Sequence, residues 1–401
     1  MENAADVWVT TGGHWVADLH AYSRRMRLGV AAAVVDGALV RGDVDVDGGI
    51  VTAVGLSAGA GAGSGIAVPG FVDLQVNGCA GVDLLHATSD EVARVGLELA
   101  RTGVLWYQPT LITAPPDLTR RALATIGGAL AAETASNNAA RIVGAHLEGP
   151  FLAPERAGAH PREWLRAPDP DLLASYLHAG CPVTMMTLAP ELERAGEAID
   201  ALLAQGVTVS LGHTDATAPL AHAAFDRGVH TVTHLFNAMR PFGHRDPGIA
   251  GTALARPDVV VQLIADGDHV APEALLTAWR AARGRFALVS DTIAAAGLGD
   301  GTFRVGTVEV TVQGGVSRTE DGTLAGAVRP LAHGLRTLVA LGVPIAEAVD
   351  AVTRTPARIL GLDARIGVLR PGLPADLVVL DDDFEVERVL VGGAAPGEPA
   401  T

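Results

Sequence analysis

The chain has 401 residues, 49% of them apolar and only 4% aromatic, with a formal net charge of −16. That length exceeds one average domain and suits a large α/β barrel with a small accessory unit, while the acidic balance argues against nucleic acid as a partner. All 29 basic residues are arginine, which excludes Schiff-base chemistry, a P-loop lysine and a carboxylated lysine bridging two metals.

Residues 1–27 show no clear pattern and are expected to be partly disordered. They carry no basic-then-apolar leader, so export is not expected. Cys79 and Cys181 are too few for a disulfide framework and fit a reducing cytoplasm. No apolar run reaches membrane-spanning length. Stretch 31–54 alternates apolar and polar residues between glycine turns, and so does 375–392. Both read as antiparallel strands, predicting one small β-sandwich built from residues 1–65 and 367–401, with 58–65 as a loop.

Between these ends, β-branched runs alternate with amphipathic segments. The predicted strands are 66–76, 104–109, 141–147, 183–188, 207–211, 229–233, 259–265 and 286–290. Helical segments include 89–102, 117–134, 191–205, 217–227 and 272–283. Eight such units over residues 66–366 predict a (β/α)8 TIM-type barrel, whose chemistry sits at the C-terminal strand ends. Stretch 302–326 is glycine-rich and alternating, and reads as hairpins; closing helices are expected at 329–341 and 345–360.

Several strand ends carry groups suited to chemistry. Glu148 ends AHLE, within AHLEGP, His213 follows VSLG and His234 ends TVTH. One carboxylate and two imidazoles leave an open position on a zinc-type ion, although a single histidine in such a place also caps helices or fills core holes. Asp291 ends FALVSD; it either exchanges a proton beside the ion or N-caps the next turn. Gln75 and Asn77 lie two apart on one strand face and suit orienting substrate or water, with Asn77-Gly78 also a strong turn dipeptide. Arg245, with His244, lies in a Pro/Gly-rich loop after a late strand, where barrels often hold phosphate. His269 adds a further positive group.

Taken together, the strings PGFVDLQVNGCAGVDL, HLEGPFL, GAH, LAPE, GHTDA, THLFNAM, ADGDHV, VSD and GTLAGA resemble the N-acetylglucosamine-6-phosphate deacetylases of the amidohydrolase superfamily. The resemblance runs from about residue 31 to residue 393. It implies Glu148, His213 and His234 as metal ligands, Asp291 as the catalytic acid/base and His160 as a substrate contact near the amide. It further implies Asn237 and Ala238 as contacts to the sugar phosphate, and Leu324, Ala325 and Gly326 as a loop over the sugar. Arg245 and His269 correspond to a phosphate-binding pair that in relatives reaches in from a neighbouring subunit, implying a homodimer. Gln75 and Asn77 stand where many amidohydrolases carry a His-x-His pair, so one divalent ion, Zn²⁺ or Fe²⁺, is expected. Thr292, Ala327 and Arg240 depart from the commonest pattern and leave the sugar epimer open. The expected reaction is hydrolysis of the acetamide of N-acetylglucosamine 6-phosphate. The rivals are the galactosamine epimer, a cyclic-amide hydrolase or deaminase, and a non-catalytic sugar-phosphate sensor.

Overall fold

The computed structural model describes residues 25–57, 63–133 and 138–398. The expected disorder in 1–27 and the loop at 58–65 therefore lie mostly outside the described residues. Eight parallel strands form the barrel: β1 (Phe71–Val76), β2 (Val104–Ile112), β3 (Ala145–Glu148), β4 (Val183–Leu188), β5 (Thr208–Leu211), β6 (Thr231–Val232), β7 (Val260–Leu263) and β8 (Phe286–Leu288). Each pairs with the next. Closure lacks a regular ladder. The Asp291 N–H donates to the Gln75 carbonyl (2.9 Å) and the Asn77 N–H to the Thr292 carbonyl (2.8 Å), which joins the end of β8 to β1.

Helices α1 (Ser89–Arg101), α2 (Pro116–Ala132), α3 (Pro170–Leu177), α4 (Ala195–Ala204), α5 (Ala218–Asp226), α6 (Gly248–Ala255) and α7 (Pro272–Ala281) cover the outside. In α1, Val92, Val95 and Leu99 face the strands, and Thr88 with Glu91 forms a capping box at its start. The expected helix at 191–205 begins late, at Ala195, because Glu191 turns away to bind the Thr214 hydroxyl and the Asp215 N–H (both 2.6 Å). After β8, the strands Gly301–Val305, Val308–Gln313 and Val316–Arg318 make the antiparallel meander that the alternation predicts. Helices α8 (Leu331–Ala340), α9 (Ile345–Val352) and α10 (Arg354–Ile359) complete the layer.

A five-stranded sheet, in the order Val386–Leu390, Leu377–Leu380, Ile66–Pro69, Ala32–Val35, Ala38–Arg41, draws on both ends of the chain. It packs against a three-stranded sheet of Met26–Arg27, Asp43–Asp47 and Ile50–Leu56. Val30, Ala33, Val44, Val46, Val51, Ala67, Leu377 and Val379 fill the space between them.

The run 66–76, expected as one barrel strand, is divided at Gly70. Ile66–Pro69 belongs to the terminal sheet, and only Phe71–Val76 enters the barrel. Both halves carry an unbroken run of apolar residues on one face, so hydropathy alone does not mark the seam. Backbone bonding marks it: the Gly70 N–H donates to Asp376 O (3.0 Å) and the Phe71 N–H to Gly103 O (2.9 Å). A Cβ on Gly70 would meet Leu105 Cδ1 at 2.5 Å. Gly70→Ala is therefore expected to destabilise the fold by about 1–3 kcal/mol. Leu105→Ala on the same chain should return part of that loss, read as thermal midpoints of the two single variants and the double.

Candidate active site

Alternation along β3 turns Ala145 and Leu147 toward the helices, leaving His146 and Glu148 for the barrel interior. His146 lies in a polar layer beneath the mouth. Its ring nitrogens meet the Thr110 and Thr187 hydroxyls at 3.3 and 2.8 Å; Thr187 contacts Thr233 (2.7 Å), which in turn contacts Ser210 (2.6 Å). Burial pushes the His146 imidazole down to about 4, so it is neutral. Above this layer the chain bends sharply. His213, His234 and Asp291 all have positive φ (48°, 27° and 53°). Non-glycine residues hold such angles at a cost of about 1–3 kcal/mol each and persist where the surroundings fix them, often at functional sites.

The ligand-capable atoms of Glu148, His160 and His213 lie within 4.8 Å of one another. His234 Nε2 comes closer still, 2.9 Å from Glu148 Oε1 and 3.1 Å from His213 Nε2, while His213 Nε2 is 3.2 Å from the same oxygen. Fixed backbone groups settle two tautomers. The Arg156 carbonyl lies 2.9 Å from His213 Nδ1. A carbonyl only accepts, so His213 carries its proton on Nδ1 and presents a bare Nε2. That lone pair faces a carboxylate oxygen, and two acceptors at this distance call for a cation between them. The three separations of 2.9–3.2 Å resemble the roughly 3.3 Å edge of a tetrahedral set with bonds of about 2.0–2.1 Å. The residues therefore fit a divalent ion.

His160 has the opposite tautomer. The Thr113 N–H donates to its Nδ1 (3.2 Å), which leaves the proton on Nε2, 3.6 Å from Glu148 Oε2. Burial and the neighbouring His213 hold its pKa down at about 4. His160 is thus a neutral N–H donor pointing into the site, unsuited to gripping a metal there.

Two amides, Gln75 on β1 and Asn77 just beyond its end, manage the two carboxylates. Gln75 Nε2 donates to Glu148 Oε1 (3.0 Å), and Asn77 Nδ2 donates to Asp291 Oδ1 (2.7 Å). Burial alone would raise the Glu148 carboxyl, but hydrogen bonding from the facing rings, His160 first, holds it well below the usual carboxylate range. Burial, then the Glu148 charge, pushes Asp291 up to about 7. Burial lowers the His269 pKa, but the Asp266 carboxylate, which accepts from its Nδ1–H at 2.7 Å, and the charges of Asp291 and Asp268 together raise it.

A cavity of about 250 Å³ collects most residues singled out in the sequence: Glu148, His213, His234, Asp291, Asn77, His160, Asn237, Ala238, His269, Leu324, Ala325 and Gly326. Drug-sized ligands usually occupy about 300–1,000 Å³, so this volume suits a smaller occupant. Gln75, read above as orienting substrate or water, instead braces Glu148 and is absent from the cavity wall. Arg245 and His244 are exposed and do not line it either. Sequence reasoning missed Thr113 and the Arg156 carbonyl, whose backbone roles leave no mark on residue type. It also missed Ile112, Ile264 and Val305, apolar wall residues resembling any other core position.

Residues 66–395 match the amidohydrolase family. The chain belongs to that family. This amidohydrolase is 40% identical over 344 residues to the mouse protein named N-acetylglucosamine-6-phosphate deacetylase, covering 82% of this chain and 83% of the relative. It is 37% identical over 330 residues to the N-acetylgalactosamine-6-phosphate deacetylase of Escherichia coli O157:H7, covering 81% and 86%. A solved structure of a variant N-acetyl-D-glucosamine-6-phosphate deacetylase from Mycobacterium smegmatis, in complex with N-acetyl-D-glucosamine-6-phosphate, superposes with a TM-score of 0.86 at 34% identity, covering 94% of this chain and 100% of that one.

The tautomers separate ligands from donors in a way that metal analysis can test. Glu148→Gln, His213→Ala and His234→Ala are each expected to lose most bound metal. His160→Gln should keep one equivalent per chain, measured by emission spectroscopy after gel filtration. Loss of metal from the His160 variant alone would reverse the assignment.

Proposed function

We propose that this amidohydrolase cleaves the acetamide of N-acetylglucosamine 6-phosphate, giving glucosamine 6-phosphate and acetate. The observation that carries the reading is the Asp291 carboxyl, raised to about 7 and braced by Asn77, in one small cavity with Glu148, His213 and His234 and the neutral His160 N–H. Glu148, His213 and His234 would hold one divalent ion, Zn²⁺ or Fe²⁺ by the nature of the donors. With Gln75 and Asn77 committed to the two carboxylates, and no lysine in the chain, the usual ligands of a second ion are missing. When bound, the ion supplies Lewis acidity and makes water more acidic.

The protein's own groups then divide the work. Asp291 takes a proton from the attacking water. The His160 Nε2–H donates to the acyl oxygen as negative charge develops there. Asp291 returns its proton to the amine nitrogen as the C–N bond breaks, which suits a carboxyl whose pKa lies near neutrality. His269, biased toward its charged form by Asp266, offers positive charge on the cavity wall. Arg245, exposed on its own chain, supplies the second phosphate contact from a neighbouring copy, so the working assembly is a homodimer. Among the described residues no helix is long and apolar enough to cross a membrane, and the cysteine content supports a cytoplasmic site of action.

Metal-replete protein is expected to release acetate from N-acetylglucosamine 6-phosphate, and Asp291→Asn to lower kcat by about 10²–10⁴ with metal content unchanged. The galactosamine epimer, favoured by the E. coli relative, is the second reading. A higher kcat/KM on that epimer in parallel assays would make it the substrate. A further test addresses the shared site. Arg245→Ala and Asp291→Asn are each expected to be impaired alone. Mixing the two after dissociation and reassembly should restore activity, because each mixed dimer then contains one intact site. Absence of restoration in confirmed mixed dimers would place Arg245 outside the mechanism.

A further inference from the structure

A second cavity, of about 440 Å³, lies outside the site described above. Its walls adjoin the catalytic ones in sequence: Ala295 follows Asp291, and Val328 and Arg329 follow the Leu324–Gly326 loop. The two sets are also tied by backbone, since the Ala327 N–H donates to Asp291 O (2.8 Å) and the Ile293 N–H to Ala327 O (3.1 Å).

The charge in this cavity is unusual for so acidic a protein. Arg329 Nε is buried and has no hydrogen-bond partner among the described residues, and no carboxylate there forms an ion pair with its guanidinium. Leaving a charged donor in that state costs more than leaving a neutral one. Arg336 lies at the same wall, held on one side by Glu385, whose side chain is 53% exposed. His333 lies between them, and burial together with the Arg329 and Arg336 charges depresses its pKa. The first turn of α8 starts at this wall without a side-chain cap, adding the positive end of a helix. The Gly314 and Gly315 N–H groups are already taken by Asp300, so they offer an incoming group nothing.

We propose that this cavity is a second binding site, for a phosphomonoester, with Arg329 and Arg336 as its phosphate clamp. Guanidinium groups bind phosphate oxygens through paired N–H donors. The volume, larger than that of the catalytic cavity, leaves room for a sugar beside the phosphate. Binding of this kind gives Arg329 Nε a partner next to the segment that lines the catalytic cavity.

Equilibrium dialysis of the full, metal-loaded chain against glucosamine 6-phosphate, with inorganic phosphate as a parallel probe, tests the proposal. The expected result is a site whose Kd weakens about tenfold or more in the Arg329→Gln/Arg336→Gln double variant. Turnover without added phosphate should stay near that of the parent, since neither residue touches the catalytic cavity. Glu385→Gln frees Arg336 and should tighten the same site about fivefold, a gain that misfolding does not produce. Absence of any site, beyond the catalytic one, whose affinity responds to these variants would overturn the proposal. Equal binding of inorganic phosphate means that the phosphate group alone is read; preference for the sugar phosphate means that the hexose is contacted too. Dependence on Arg329 and Glu385 stands or falls apart from whether acetate is released from N-acetylglucosamine 6-phosphate.

Discussion

Glu148 holds a negative charge where almost no water reaches it, and the mouth of the barrel is organised around the cost of keeping it there. An isolated buried carboxylate would cost several kcal/mol. Here an amide and three imidazoles surround it, and two of those rings have tautomers set by fixed partners. Those tautomers come from backbone groups in separate loops, the Arg156 carbonyl for His213 and the Thr113 N–H for His160. The proton inventory of the site is thus written into main-chain positions, which side-chain substitution barely alters.

The second carboxylate is treated in the opposite way. Asp291 is buried and faces the charge of Glu148, and together these outweigh the Asn77 amide bond, so it holds a proton more readily. Two carboxyl groups driven apart in acidity is a recurring arrangement in acid–base enzymes. Gln75 on β1 and Asn77 just beyond its end lie two residues apart, and each ties one of the two carboxylates in place. Amides in these places act as ties, where imidazoles would act as ligands.

Much of this was legible in the sequence because the barrel converts periodic strand ends into neighbours. The alternating runs, the terminal strands and the meander after β8 follow from side-chain period alone. Glu148, His213, His234 and Asp291 could be picked out because each ends an apolar run with a group that an apolar run seldom tolerates. The seam at Gly70 was hidden, because a strand passing from one sheet to another keeps the same hydropathy on both sides. Arg245 shows a different limit: its loop is recognisable, but a single chain leaves the side chain in solvent. The bracing role of Gln75 depends on a carboxylate 73 residues away, which local pattern does not reveal.

The seam itself has a mechanical meaning. One extended segment leaves the terminal sheet, passes Gly70 and ends with the two amides that steady the carboxylates, with no hinge of loop between. Ile66–Pro69 is gripped on one side by Leu377–Leu380 from the far end of the polypeptide. The accessory layer therefore serves as an anchor at the blunt end of a stiff rod whose tip touches the chemistry. Trimming or fusing at the C-terminus, remote as it looks, pulls on that rod.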